Sequence, residues 1–142
     1  MMIDILRMDY ETRSTEELGG KLSVGVYNYA THPNTEPLML AWKTKHTPLS
    51  VWKIWTGEPM PEELRKRLLD PNQILSAFNS TFERYITKFK IGIDIPVERW
   101  SDPQPSCRYL SLPGDLEEAS DILGLTSEFA KDKRGHDLIQ FF

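Results

Sequence analysis

The chain has a single cysteine in 142 residues, Cys107. An internal disulfide and a thiolate-based zinc site are therefore excluded, and Cys107 reads as a small half-buried residue. His32, His46 and His136 are scattered, show no zinc spacing, and read as surface or turn residues. No apolar run approaches the roughly 20 residues of a membrane span. The opening eight residues hold Asp4 and no apolar signal core. These absences lead to the expectation of a soluble protein of a reducing cytoplasm with no membrane partner. A basic surplus is also missing: 17 Lys and Arg stand against 21 Asp and Glu, giving a net charge of -4 and a pI near 5.4. That excludes a protein coating duplex DNA through a broad basic face. An enzyme gripping a few nucleotides at a metal site stays open, because bound cations supply positive charge there. There is no Gly-rich phosphate loop, no Ser-His-Asp arrangement, no internal repeat and no low-complexity tail.

The remaining pattern fits one domain spanning residues 1–142. "MIDILRMDY" alternates and then runs apolar, like a central strand. "PLMLAWKTK" and "SVWKIWTG" are strand candidates forming a hairpin beside it. "TRSTEELGGKL" reads as a loop or a short turn of helix, and "GVYNYATHPNTE" is rich in turn formers and aromatics. "MPEELRKRLLD" reads as helix, with acids early and bases late. Its charges describe a solvated face. "NQILSAFN" is a buried strand candidate, and "STFERYITKF" spaces Phe82, Tyr85, Ile86 and Phe89 as a packed helix face. "IGIDIPVERWSDPQPSC" reads as irregular, with a short strand at 91–95. "PGDLEEASDILGL" predicts a helix capped by Asp115 and stopped at Gly124. "KDKRGHDLIQFF" ends in a helical apolar pattern. Trp42, Trp52 and Trp55 are assigned to the core or its margin. The order β-β-β-α-β-α predicts a mixed α/β domain, an antiparallel hairpin ahead of a parallel crossover. Ligands in such sheets sit at the carboxyl ends of the strands.

One stretch carries chemistry. In "ILRMDYETRS" the strand runs into Asp9 and Glu11. Residues i and i+2 of a strand share a face, so the two carboxylates stand roughly 7 Å apart at Cα. They repel unless something positive lies between them, and a hard divalent cation is the natural occupant. A bare Asp-x-Glu is more often a pair of solvated acids. The second stretch is "ILSAFNSTFERYI", in which a strand turns at Asn79 into a helix carrying Glu83. Alone, Glu83 is a first-turn acid favoured by the helix dipole.

Together, "DYET" and "AFNSTFERYI" resemble the first two motifs of the 3′–5′ exonuclease domain of DNA polymerases, in the DEDD nuclease superfamily. The chain is most similar to the exonuclease domains of phage polymerases of the family A type. "ERWSDP", "LSLPGDLEEASDILGL" and "KDKRGHDLIQFF" extend the likeness over nearly the whole length. The resemblance implies a ribonuclease H-like mixed sheet flanked by helices. It also implies two-metal phosphodiester hydrolysis with Mg²⁺ or Mn²⁺ at the 3′ end of single-stranded DNA. Asp9, Glu11 and Glu83 take the places of the catalytic metal ligands. Thr12 and Asn79 take those of substrate-positioning residues, with Leu18 and Tyr27 as weaker candidates for the pocket of the splayed 3′ end. A polymerase domain in the same longer chain is the implied partner, and the host cytoplasm the location if the protein is phage-encoded.

The family's third motif carries a final Asp and a water-orienting Tyr or His, and no residue up to Phe142 matches it. Glu117, Asp121, Asp132 and Asp137 read as surface charges rather than substitutes. The expectation is weak cation binding, slow or absent cleavage by this chain, and apolar surface that favours self-association. Two other readings stay open: a non-catalytic interaction module of the same fold, and a free-standing exoribonuclease.

Overall fold

The computed structural model describes residues 4–19 and 23–124. The first strand, β1 (Ile5–Arg13), is built by alternation: Leu6, Met8, Tyr10 and Thr12 are buried, while Arg7, Asp9 and Arg13 are exposed. A short helix, α1 (Val26–Thr31), leads into β2 (Glu36–Lys43), which pairs antiparallel with β1. The register shifts between Glu11 and Thr12. β3 (Ser50–Trp52) completes the expected hairpin against β2. Helix α2 (Glu62–Leu69) then crosses over to β4 (Ile74–Ser76), which lies parallel to β1. Helix α3 (Ser80–Ile86) comes next and continues as a wider π-helical segment, Thr87–Ile91. β5 (Trp100–Ser101) pairs parallel with β4. Two short helices, α4 (Pro103–Tyr109) and α5 (Leu116–Ile122), close the described chain. The sheet order is β3-β2-β1-β4-β5. The mixed α/β class and the combination of hairpin and parallel crossover are as expected, and this architecture is consistent with a ribonuclease H-like fold.

The core joins one sheet face to the helices. Leu6, Met8, Tyr10, Leu40, Trp42 and Leu75 of the strands pack with Leu64 and Leu68 of α2, Ala30 of α1 and Ile86 of α3. Leu64 and Leu68 are four apart, so they share the inner face of α2. Each such leucine contributes roughly 2 kcal/mol by leaving water. The C-terminal carbonyls of α2 are closed from outside the helix. Arg99 donates to the carbonyls of Arg67, Leu68 and Gln73 at 2.8–3.1 Å. A guanidinium there also complements the negative end of the helix dipole.

Several expectations need correction. "VYNYAT", inside the stretch rich in turn formers, is a helix not assigned from the sequence. No strand forms at 91–95: the π-helical segment reaches Ile91, Gly92 turns the chain at φ 89°, and Ile95 is buried without pairing. The strand in this region is Trp100–Ser101. "PQPSCRY" forms α4 despite its prolines, because Pro103 occupies the first turn, where no amide is needed. Trp42 and Trp52 are buried as expected, but Trp55 is 53% exposed. The expected helix at the C-terminal end, with Asp132, His136 and Asp137, lies outside the described residues.

Candidate functional site

β4 pairs with β1 only along Ile5–Arg7. Beyond Arg7 that edge of β1 is free of β4, and the chain after β4 turns at Asn79 into helix α3. Glu83, in the first turn of α3, is 3% exposed. Its carboxyl accepts a hydrogen bond from the backbone N–H of Tyr10 and lies close enough to Asp9 to feel its charge. The fold thus brings together an acid of β1 and an acid of α3 from distant parts of the sequence.

The electrostatics are unusual for a glutamate. Burial, then the charge of Asp9, raises the Glu83 pKa to about 8; backbone hydrogen bonds pull it down in part, and Asp102 adds a smaller upward push. Glu83 Oε2 is buried and receives no hydrogen bond among the described residues. A buried acceptor oxygen left unmatched beside a second carboxylate is costly. Two arrangements relieve it: a proton on Glu83, or a cation shared with Asp9.

Glu11 shares the side of β1 that carries Asp9 and is half-buried. Thr12 belongs to the opposite, core-facing side, where its Oγ1 is 2.8 Å from the Tyr29 hydroxyl. Tyr29 in turn packs against Phe82, with ring centroids 6.1 Å apart. Asn79 occupies the left-handed region at φ 65°, ψ 61°, a conformation asparagine tolerates better than most residues. Leu18 lies in the loop after β1 and is 43% exposed. Tyr27 is 56% exposed and meets Tyr85 and Phe89, two and six residues beyond Glu83, edge to face at 5.9 and 5.5 Å. Glu117 and Asp121 lie on α5.

Two residues that bear on the site were not singled out from the sequence. Tyr10 is buried between Asp9 and Glu11, and its hydroxyl is 2.9 Å from Thr87 Oγ1. Burial pushes its phenol well above its ordinary pKa, so it stays neutral. Asp102 comes directly after β5 and accepts hydrogen bonds from the backbone at the start of α3. Its signal was available, since Asp-Pro is a helix-start pattern.

Among the described residues no three His, Cys, Asp or Glu side chains stand together as a ready metal cage. Asp9 and Glu83 nevertheless fit one hard divalent cation. They offer oxygen donors of the right kind, and one buried oxygen lacks a partner. Mg²⁺ commonly takes only one or two protein carboxylates and fills its remaining positions with water or phosphate oxygens. A cleft of about 510 Å³, lined by Arg13, Glu36, Leu38, Met39, Ile54 and Trp55, lies along the hairpin and does not include these acids.

No family model matches the chain. It is 30% identical over 137 residues to a DNA polymerase of Bacillus phage SP02, covering 96% of this chain and 20% of that protein. Its fold matches the family B DNA polymerase of the hyperthermophilic archaeon Pyrobaculum calidifontis with a TM-score of 0.56 at 14% identity. That match covers 99% of this chain and 21% of the archaeal polymerase, and at such identity it shows the fold alone. The chain therefore spans about a fifth of the length of the polymerases it matches, and is similar to a segment of a phage DNA polymerase.

Proposed function

We propose that this chain is a metal-dependent 3′–5′ exonuclease module of proofreading type, acting within a larger phage-like DNA polymerase on single-stranded 3′ ends. The observation that carries the reading is the burial of Glu83 beside Asp9 with one carboxylate oxygen unmatched. An acid packed this way is unfavourable for stability alone, which favours a ligand-binding purpose. Asp9 and Glu83 would hold the cation, with Glu11 contributing from the same side of β1. A divalent cation bound there, Mg²⁺ or Mn²⁺, supplies Lewis acidity toward a phosphodiester and acidifies bound water. In its absence Glu83 keeps a proton through neutral pH, so cation binding exchanges metal for proton. Asn79 and the Tyr27 ring lie on and against the turn and helix that carry Glu83, where they would shape the place of the terminal nucleotide, while Thr12, buried on the core-facing side of β1, would act on it only through its bond to Tyr29. Leu18 would close it from the loop after β1.

A non-catalytic module that binds nucleic acid or protein is the second reading. The lack of a three-ligand cage among the described residues favours it. A 3′-labelled single-stranded oligonucleotide incubated with the chain and Mn²⁺ separates the two. The exonuclease reading expects slow, cation-dependent release of the 3′ nucleotide, lost in Asp9→Ala and in Glu83→Ala. Release that persists in both variants, or a wild-type chain that neither cleaves nor binds Mn²⁺, overturns it.

A further inference from the structure

The acid that governs the site's geometry need not touch a cation. Asp102 lies just beyond β5, whose Ser101 pairs with Ser76 at the end of β4. Its Oδ1 accepts the Asn79 N–H at 3.0 Å and the Gln104 N–H at 2.9 Å. Its Oδ2 accepts the Ser80 N–H at 2.8 Å and the Ser80 hydroxyl at 3.2 Å. One carboxylate therefore collects four donors and joins the start of α3 to the start of α4.

Helix α3 needs such a partner. Its α-helical part is seven residues long, twelve with the π-helical continuation, and Asn79, its cap residue, makes no side-chain cap bond to it. A helix this short does not hold itself in place. Its entry turn is also held at a positive φ without glycine. Glu83 lies one turn into this helix. Any swing of the Asn79–Ser80 turn moves the Glu83 carboxyl away from the Tyr10 amide.

We propose that Asp102 is a positioning residue, whose carboxylate clamps the Asn79–Ser80 turn and so holds Glu83 against β1 beside Asp9. The carboxylate is suited to this because it is acceptor-only and meets four donors. In Asp102→Asn one of the two positions must become an amide donor facing donors, so half of the clamp is lost. The proposal deepens the exonuclease reading, and its consequence for cation binding rests on that reading.

The test is amide hydrogen exchange of Tyr10, whose N–H reports the position of Glu83 with or without a cation. In Asp102→Ala the Tyr10, Asn79 and Ser80 amides exchange at least about tenfold faster, the equivalent of one hydrogen bond. Amides of the β1–β2 ladder keep their wild-type protection. Asp102→Asn gives a smaller acceleration at the same amides, and it decides the matter should the alanine variant not fold. Mn²⁺ affinity falls in the same order. Unchanged Tyr10 protection in Asp102→Asn refutes the clamp, and so does a uniform loss of protection across the sheet, which marks a merely structural role. A wild-type chain that binds no Mn²⁺ refutes the exonuclease reading instead and leaves the exchange result standing.

Discussion

Replacing Glu83 with glutamine keeps the shape of the side chain and removes its ability to ionise. In the wild-type chain, burial and the charge of Asp9 raise the Glu83 pKa from 4.5 to about 8. A raised acid makes the folded state the better proton binder. Below about pH 4.5 both states carry the proton, and the stability that Glu83 brings is fully present. As pH rises toward 8 the unfolded chain has released its proton while the folded chain has not, and stability declines. Above about pH 8 Glu83 is ionised in both states and the decline levels off. The full loss is at most roughly 5 kcal/mol, and by pH 7 it is roughly 3 kcal/mol. Set against a domain stability of about 5–15 kcal/mol, this is a large effect. Urea unfolding of both proteins at pH 4.5, 7 and 8.5, in the presence of a chelator, measures it. Glu83→Gln lacks this component, so its advantage over wild type grows from pH 4.5 to pH 8.5. Adding Mn²⁺ restores the wild type at high pH and does little for the variant. Parallel pH profiles for the two proteins would refute the reasoning.

Asp9→Asn removes the larger of the two charges that push Glu83 upward. The Glu83 titration midpoint, measured by carboxyl carbon NMR, then falls below that of the wild type. Arg99→Ala strips three carbonyls around the end of α2 of their donor and lowers stability by about 2–3 kcal/mol in urea unfolding. Thr12→Val leaves the buried Tyr29 hydroxyl without its partner and costs about 1–2 kcal/mol by the same measurement.

Elements whose signals are local were legible in the sequence. Alternation set Asp9 and Glu11 on one side of β1, and the Glu62–Glu63 to Lys66–Arg67 charge order marked α2. Asp115 caps α5 by accepting from the amides of Glu117 and Glu118, as expected of an aspartate there. Helix α1 was hidden because Val26, Tyr27 and Tyr29 are poor helix formers enclosed by Gly25 and Pro33. Helix α4 was hidden by Pro103 and Pro105. The burial of Glu83 had no local signal, since a first-turn acid ordinarily faces water. It arises because β4 stops after three residues and leaves the edge of β1 open to α3. The second role of Asp102 was equally out of reach. Its capping of α4 is local, but the other backbone amides it accepts belong to a turn more than 20 residues earlier in the chain.

The central claim is that the Asp9–Glu83 pair takes up a divalent cation in exchange for a proton. Calorimetric titration of Mn²⁺ into the chain at pH 7, repeated in two buffers of different ionisation enthalpy, measures both affinity and proton release. With Glu83 at a pKa of about 8, the wild type releases about one proton per ion bound. Glu83→Gln releases none and binds more weakly. Equal affinity in the two proteins, or binding by the wild type without proton release, would contradict the claim.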